Sequence, residues 1–561
     1  MFSALTKSLK SKQTFSDFLS NLLAGLTVGI IALPLSMALA IASGVAPQHG
    51  LYTAIVAGIV TALSGGSEVN ISGPTAAFVV VLLPIVHQYG LGGLLISGFM
   101  AGIILILMGA IKLGRLVEII PYPVVIGFTS GVAVIIAAFQ IKEFFGLTID
   151  SLEGDRFQRL SQLFLSLMSI NWQETFIGII TLSILIFWSK LKSKVPGHLV
   201  ALFLGSVTAW ILSQLTSDFS VATIGSRFHY ELNGVTGNGI PPILPSFEWP
   251  WNLPNASGEP IGISFRLINA LLASGITIAI LGALESLLCA VVADGMSGKK
   301  HHPNDELIGQ GIGNLVAPLF SGIPATAAIA RTAANIRAGG TSPLSSVFHS
   351  LFIIASILLL APLLAYIPMA SMAALLLIVA WNMSEIKHFF RIVKIAPKDD
   401  VITLITCFSL TVIFDMTIAV GVGIGLSSIL FIRRSISLVE ANRSEIDINL
   451  DIPKEISIYH IDGPLFFGSA QQAIKSITKI LPGIKVVILD MSKVTMLDVT
   501  AIITMEDIIK KLEKNNVGLV INNLQPRMIL KLRRADIRRK AGSITFSRTV
   551  SDALEKARKM F

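Results

Sequence analysis

Two ionisable side chains lie inside long apolar runs of this sequence and are the first candidates for chemistry. Glu285 lies in the run 266–293, and Arg331 lies in the run 322–338. An ionisable side chain in the middle of a membrane costs at least ~2.5 kcal/mol, so it indicates a function or a buried partner. A desolvated carboxyl can load and release a proton, or bind Na⁺. Two alternatives stay open: a structural Glu285–Arg331 pair, or an Arg331 that extends to the inner interface.

A phrase of Ser, Gly, Pro, Thr and Ala occurs twice, as SGPTAAFVVV at 72–81 and as SGIPATAAIA at 321–330. Each copy heads a short apolar run. Backbone broken at membrane depth is tolerated only where it lines a cavity. Pro fits the first helical turn, and the leading N–H groups of a half-helix attract an anion. The repeat predicts two half-helices that start near mid-membrane; close packing of small residues is the alternative explanation.

The composition indicates a membrane protein, because 53% of the 561 residues are hydrophobic and only 14% are charged, against ~25% in soluble chains. The mean hydropathy is +0.75. We predict fourteen spans, at 20–43, 50–64, 70–88, 91–111, 119–141, 172–189, 196–214, 266–293, 307–321, 322–338, 343–361, 363–381, 399–414 and 417–433. The third and the tenth are too short to cross alone as helices.

Lys and Arg follow the even-numbered spans, which predicts that both termini are cytoplasmic. This distribution accounts for the net charge of +9, so we expect no nucleic-acid partner. Cys289 and Cys407 are too few for a disulfide framework or a metal cluster. No nucleophile–base pair or P-loop is visible, so we predict neither an enzyme nor a cofactor. The Pro-, Gly- and Trp-rich segment 215–263 is expected to be an ordered extracytoplasmic loop.

With this orientation, spans three and ten run in opposite directions. Spans one and eight correspond in the same way, and we expect Pro34 to interrupt the first and Glu285 the second. Two copies in opposite orientation are typical of an inverted-repeat transporter, here of seven plus seven spans.

The character of the sequence changes near residue 440, where short β-rich runs alternate with helical patterns at 469–481 and 500–514. This predicts a small cytoplasmic α/β domain. We therefore divide the chain into a cytoplasmic N-terminal segment, a transmembrane domain, a linker and an α/β domain, at 1–18, 19–435, 436–453 and 454–561.

Two segments resemble a known family. PQHGLYTAIVAGIVTALSGGSEVNISGPTAAF (47–78) is similar to the signature region of the SulP/SLC26 anion transporters, and LDMSKVTMLDVTAI (489–502) is similar to their STAS domain. The resemblance implies a UraA-like fold of 7+7 inverted spans, usually in a homodimer. It also implies an elevator-type mechanism in which a core domain (spans 1–4 and 8–11) moves against a gate domain (spans 5–7 and 12–14).

The resemblance also implies the positions of the anion site. They are Leu35, Leu39, Ser72, Gly73, Pro74, Thr75, the threonine of the second phrase (Thr326, beside Ala325), Ala330 and Arg331. Glu285 falls where bacterial relatives place an acidic residue for H⁺ or Na⁺ coupling. In the STAS segment, Thr500 takes the phosphorylatable position beside Asp498, although either residue could instead be a helix N-cap.

Further segments, such as LGALESLLCAVVADGMSG and ATAAIARTAANIRAGGTSP, look most like members of the family that take up C4-dicarboxylates with protons in enteric bacteria. This implies succinate, fumarate, malate and aspartate as substrates, a bacterial inner membrane, and acyl carrier protein as a partner of the STAS domain. A sulfate transporter, a Na⁺-coupled bicarbonate transporter, and an anion channel or sensor remain alternatives.

Overall fold

The computed structural model describes residues 3–10, 14–117, 120–148, 156–188, 190–191, 195–216, 218–232, 235–414, 416–437, 440–443, 452–470 and 483–560. The chain forms two compact units, Met1–Ile424 and Gly425–Phe561. The predicted helix 469–481, beyond its first two residues, and much of the predicted linker 436–453 lie outside the described residues.

The first half of the membrane sequence is helical apart from one short strand and one hairpin. Its elements are α1 (Ser3–Lys10), α2 (Phe15–Ala42), α3 (Pro47–Ser64), β1 (Ser72–Gly73), α4 (Ala76–Ala110), α5 (Gly114–Val117), α6 (Tyr122–Phe144), α7 (Arg156–Leu165), α8 (Trp172–Trp188), α9 (Gly197–Leu215), α10 (Ile224–Arg227), β2 (His229–Leu232) and β3 (Val235–Asn238).

The second half repeats the long helix, the short strand and the helix that follows it. Its elements are α11 (Phe265–Ser297), α12 (Pro303–Val316), β4 (Thr326–Ala327), α13 (Ile329–Arg337), α14 (Leu344–Leu364), α15 (Met369–Met383), α16 (Ile386–Ile395), α17 (Lys398–Ile413) and α18 (Met416–Ser437).

Each of the fourteen predicted spans overlaps a helix, so the chain is a polytopic helical membrane protein. Eight described helices are long and apolar enough to cross a membrane by themselves. The tenth span is short, as predicted, because α13 has only nine residues. At 1.5 Å per residue such a helix covers roughly half of a ~30 Å hydrocarbon layer.

Spans three and four form one run, α4, which bends at Gly90. Gly90 has a φ of 69° and a ψ of −171°, and a Cβ there would collide with the backbone of Asn255. Glycine adopts such a conformation without strain, which explains why the bend falls at this residue.

Two details of the predicted spans are wrong. Pro34 does not interrupt α2, and Glu285 does not interrupt α11, because both helices are continuous through these residues. Proline removes only one backbone donor, and its neighbours in a membrane helix can compensate for it. A glutamate side chain leaves the backbone ladder intact, so an acidic residue marks a site without breaking its helix.

The membrane helices pack in two groups. In the first, α4 packs against α11 and α12, and α2 packs against α3 and α14. In the second, α6 packs against α15 and α17, and α8 packs against α9 and α15. The segment after α9 packs against the start of α15: Thr223 bridges Pro368 in antiparallel fashion, and the Ala222 carbonyl accepts the Met369 N–H at 2.8 Å.

The C-terminal unit contains a five-stranded sheet in the order of the chain, made of β5 (Glu440–Arg443), β6 (Ile456–Asp462), β7 (Val486–Asp490), β8 (Gly518–Asn522) and β9 (Ile544–Ser547). β5 is antiparallel to β6, whereas the other neighbours are parallel. The helices are α19 (Val499–Lys514), α20 (Pro526–Arg534) and α21 (Val550–Arg558). The segment predicted as a linker thus supplies one strand of this sheet.

Candidate anion site

The two copies of the repeated phrase meet as a short antiparallel strand pair. Ser72 of β1 is opposite Ala327 of β4, and Gly73 is opposite Thr326. Neighbouring elements hold both strands: the Thr332 hydroxyl accepts the Ile71 N–H at 3.0 Å, and the Ser286 hydroxyl accepts the Ala327 N–H at 3.2 Å. Because the strands are antiparallel, the helices that follow them leave in opposite directions.

Both of these helices begin without a side-chain cap. Thr75 is the N-cap of α4 and Ala328 is the N-cap of α13, and within the described chain neither side chain accepts a hydrogen bond from its helix. The leading N–H groups and about half a positive charge at each helix start are therefore available to an anion. Pro74 and Pro324 precede these helices, so the prediction of Pro in the first helical turn is wrong. Pro74 precedes the extended N-cap Thr75, and Pro324 precedes strand β4, so each Pro lies in the extended segment before its helix.

Glu285 of α11 contacts this junction directly. The Thr75 hydroxyl donates to Glu285 Oε2 at 2.9 Å, and Thr326 interacts with the same carboxylate. The hydroxyl that would normally cap α4 is thus directed at the carboxylate. Ser286, the next residue of α11, donates to the Thr326 hydroxyl at 3.1 Å.

Arg331 lies in the first turn of α13 and is only 2% exposed, so it does not extend to the inner interface. Its Nη2 donates to the Pro74 carbonyl at 2.9 Å, whereas its Nη1 has no hydrogen-bond partner among the described residues. The structural alternative of a Glu285–Arg331 pair is not observed either, since Glu285 bonds to Thr75 and Arg331 to the Pro74 carbonyl. Arg331 is therefore a buried cation at the start of α4.

The other predicted site residues differ in exposure. Leu35 and Leu39, one helical turn apart on α2, are buried in the same apolar cluster as Ala76 and Leu284. Ala330, in contrast, is exposed at the start of α13. The structure thus collects the polar positions around the strand pair, whereas Leu35 and Leu39 lie in the apolar core.

Three polar residues of α12 that the sequence patterns did not indicate support this junction. Asn314 donates to the Ala325 carbonyl and accepts the Ala325 N–H, both at 2.8 Å. Gln310 donates to the Ser72 hydroxyl at 2.8 Å. Glu306 accepts the N–H groups of Gly66 and Ser67 at 3.0 and 2.9 Å.

The spacing of these residues was a usable signal. Glu306, Gln310 and Asn314 recur every four residues, which places them on one face of a helix. All three are at most 2% exposed, so the face is a buried polar stripe.

In the segment between α3 and β1, Glu68 binds two lysines. Its carboxylate accepts from Lys7 at 2.8 Å and from Lys299 at 2.5 Å. Burial alone would raise the pKa of Glu68, but the hydrogen bonds from Lys299 and Lys7 outweigh it and hold the pKa below its ordinary value.

In the C-terminal unit, Asp498 is the N-cap of α19. Its Oδ1 accepts the Ala501 N–H at 2.7 Å, and its Oδ2 accepts the Phe467 N–H at 3.0 Å. This observation supports the capping interpretation for Asp498 and not for Thr500, which lies one residue inside the helix.

The sequence was compared with known families and structures. The profile of the sulfate permease family matches residues 18–406. The chain belongs to this family. A STAS domain profile matches residues 447–553, so this sulfate permease homologue carries a C-terminal STAS domain.

Curated relatives extend the match over almost the whole chain. The putative sulfate transporter YvdB of Bacillus subtilis is 40% identical over 511 residues, which cover 91% of this chain and 92% of the relative. The bicarbonate transporter BicA of Picosynechococcus is 30% identical over 528 residues, or 90% and 88% of the two chains. These relatives of the sulfate permease family are transporters of small anions, not enzymes.

Two solved structures share the fold. The transmembrane domain of a cyanobacterial bicarbonate transporter BicA superposes with a TM-score of 0.62 at 29% identity, covering 73% of this chain and 99% of that one. The murine Slc26a9 anion transporter in its inward-facing state gives a TM-score of 0.83 over 100% and 94% of the chains. At 17% identity the second match concerns the fold alone.

Proposed function

We propose that this protein is a secondary active importer of a small oxyanion, in which the anion binds between the starts of α4 and α13 and a cation on Glu285 drives its entry. One observation carries the proposal: two uncapped helix starts meet from opposite directions beside Arg331, a buried cation. Together these groups make a positive site that a carboxylate, sulfate or bicarbonate would neutralise.

Coupling follows from the contact between Thr75 and Glu285. A charged carboxylate beside the two helix starts repels an incoming anion, whereas a protonated or Na⁺-bound Glu285 does not. The Thr75 hydroxyl connects the carboxylate to the N-cap of α4. Loading of H⁺ therefore favours binding of the anion; Na⁺ is the second candidate for the coupling ion.

For the substrate, the relatives favour an inorganic oxyanion over a C4-dicarboxylate. The two relatives described above are named as sulfate and bicarbonate transporters, and they align with nearly the whole chain. The dicarboxylate expected from the sequence resemblance finds no support in them. The resemblance keeps it as the second candidate: if Leu35 and Leu39 line the site, these apolar side chains suit the hydrocarbon middle of succinate.

We propose that alternating access arises from a movement of one of the two groups of helices against the other. The strand pair, Glu285 and Arg331 all belong to the group formed by spans 1–4 and 8–11. We infer that this core moves as an elevator against the gate formed by spans 5–7 and 12–14. An anion channel of the same fold would show uncoupled flux, and a sensor would bind the anion without moving it.

The remaining assignments follow from charge distribution and resemblance. We infer a bacterial inner-membrane location with both termini in the cytoplasm, and a homodimer. Acyl carrier protein is a candidate partner of the STAS domain, because α20 is strongly basic, with Lys531, Arg533 and Arg534 in its last turn.

The test is uptake by the full-length protein in proteoliposomes, with labelled bicarbonate, sulfate and succinate supplied one at a time. Each is measured with an inward H⁺ gradient, with an inward Na⁺ gradient, and with neither. Gradient-stimulated uptake of one anion, competed by unlabelled anion of the same kind, supports a coupled importer and names its substrate. Equal uptake in all three conditions overturns the coupling, and no uptake of any of them overturns the function.

A further inference from the structure

A buried histidine lies near β1, on the side of α3 and α14. His349 of α14 is 0% exposed. Its Nδ1 lies 3.7 Å from the position that a Cβ on Gly58 would occupy, and the Ser72 carbonyl oxygen lies 3.6 Å from the same point. Because residue 58 has no side chain, the imidazole ring approaches the strand that forms half of the anion site.

Arg331 reaches the same strand from α13. Its Nη1 lies so close to Gly73 that a Cβ on this glycine would collide with it, while its Nη2 donates to the Pro74 carbonyl. The guanidinium of Arg331 is also within electrostatic range of the His349 ring. The histidine and the arginine therefore lie near the same two-residue strand.

Three buried nitrogen atoms near this strand lack a hydrogen bond of normal geometry. Within the described chain, Arg331 Nη1 and both ring nitrogens of His349 have no such partner. The Ser346 backbone is the other polar group that interacts with the ring. Buried polar groups are rarely left unpaired, so their positions together call for an explanation.

The chemistry of the two side chains is complementary when His349 is neutral. A neutral imidazole has one ring nitrogen that accepts a hydrogen bond, and a guanidinium has only donors. A protonated ring would place a second positive charge beside Arg331 in a buried environment, which is unfavourable. The neutral ring can accept from Nη1 directly or through one bridging water, which needs two to four polar partners.

We propose that His349 is a positioning residue of the anion site: as a neutral acceptor for Arg331 Nη1, it holds the guanidinium against the Pro74 carbonyl at the start of α4. The proposal rests on the proposed function, in which Arg331 contributes positive charge to anion binding. Without the acceptor, the guanidinium is free to turn towards α3, and the positive charge leaves the helix start. A histidine that only fills space would have no such effect on Arg331.

The test measures equilibrium binding of labelled sulfate, bicarbonate and succinate to the purified full-length protein in lipid nanodiscs. The variants are His349→Leu, which removes the acceptor, and His349→Gln, which keeps one. His349→Asn keeps an acceptor that is too short to reach. Ser356→Ala is the matched control, because Ser356 is buried on the same helix and, among the described residues, its hydroxyl donates to the Phe352 carbonyl one turn earlier in that helix.

We expect His349→Leu and His349→Asn to raise the Kd about tenfold, as for loss of a hydrogen bond to a charged group, while His349→Gln stays within about threefold. The Ser356→Ala control should bind like the wild type. The decisive comparison repeats the His349 substitutions in an Arg331→Gln background, in which they should have no further effect if they act through Arg331.

The possible outcomes separate the two hypotheses. A wild type that binds none of the three anions contradicts the proposed function. A wild type that binds one anion, with His349→Asn unchanged in Kd, overturns the positioning role alone. Equal losses in the wild-type and Arg331→Gln backgrounds indicate that His349 only supports packing, which also overturns it. If His349→Leu fails to fold, the comparison of His349→Gln with His349→Asn decides the question.

Discussion

Thr75 donates a hydrogen bond of 2.9 Å to Glu285, and this contact joins the N-cap of α4 to the carboxylate of α11. An N-cap threonine normally accepts a hydrogen bond from its own helix, and its replacement by alanine costs about 0.5–2 kcal/mol. Here the Thr75 hydroxyl instead donates its hydrogen bond to the Glu285 carboxylate. Glu285, which is proposed to carry the coupling ion, is thus in direct contact with Thr75, which is proposed to lie at the edge of the anion site.

Replacement of Glu285 by Gln removes the titratable group without removing its bulk. We expect Glu285→Gln to abolish gradient-driven uptake, while exchange of internal for external anion survives, because the helix starts and Arg331 remain. The measurement is uptake in proteoliposomes with and without a gradient. Glu231→Gln, in the exposed hairpin, is the control and should behave like the wild type. Full gradient stimulation in Glu285→Gln would show that the carboxylate carries no coupling ion.

Replacement of Thr75 by Val keeps the shape of the side chain but removes its hydroxyl. A net hydrogen bond to a charged group contributes ~1.5–3 kcal/mol, so we expect gradient-driven uptake to fall by about tenfold or more. Thr75→Ser retains the hydroxyl and should keep most of the activity. If the valine and serine variants transport equally, the contact with Glu285 has no role in coupling.

Replacement of Arg331 by Gln removes the buried positive charge. We expect the Kd for the transported anion to rise by about 10–100-fold, and more for a divalent than for a monovalent anion. Arg337→Gln provides the control, since Arg337 lies in the last turn of the same helix and is exposed. Binding isotherms on the purified protein check this, and unchanged affinity in Arg331→Gln would remove Arg331 from the site.

Replacement of Asn314 by Ala leaves the N–H and carbonyl of the buried Ala325 without partners. We expect a loss of about 1–3 kcal/mol in the free energy of unfolding, because unsatisfied buried groups carry a desolvation cost. Asn314→Asp keeps the acceptor and should lie between the wild type and the alanine variant. Thermal unfolding in detergent ranks the three proteins, and identical midpoints would mean that Asn314 does not support β4.

The ion pairs of Glu68 with Lys7 and Lys299 predict a pH dependence of the stability of the folded protein. Bonds from Lys299 and Lys7 hold the pKa of Glu68 below its ordinary value of 4.5 despite its burial. The carboxylate therefore stabilises the folded state above pH 4.5, and this contribution is lost as the pH falls through the lowered pKa. Glu68→Gln should have a lower midpoint of thermal unfolding than the wild type at neutral pH. The difference between the two midpoints should become smaller in acid. An equal gap at neutral and at acidic pH would contradict this.

Much of the fold could be predicted from the sequence, because hydropathy and charge act over whole spans. All fourteen predicted spans have helical counterparts, and helices begin after both copies of the repeated phrase, but the strand pair that joins the two copies was not predicted. Local breaks were harder to predict. Pro34 and Glu285 look like interruptions in a linear sequence, but their effect depends on neighbouring helices that the sequence does not place.

The residues of the site could be predicted from the sequence, but their hydrogen-bond partners could not. Sequence patterns pointed to Thr75, Glu285 and Arg331, yet the partner of Arg331 is a backbone carbonyl, which carries no residue-type signal. The support from α12 was missed for a different reason. Glu306, Gln310 and Asn314 look like an ordinary polar face, and only the fold shows that this face points inward.

The strand pair between β1 and β4 has a consequence for substrate size. Neighbouring strands are held about 4.8 Å apart by main-chain hydrogen bonds, whatever the side chains are. The two helix starts therefore cannot spread to admit a bulkier anion or close on a smaller one. If the anion binds there, and if Leu35 and Leu39 line the site as the resemblance implies, discrimination between a compact oxyanion and an elongated one depends on these side chains. A change of the transported anion would then need only a few substitutions on α2, while the backbone of the strand pair stays unchanged.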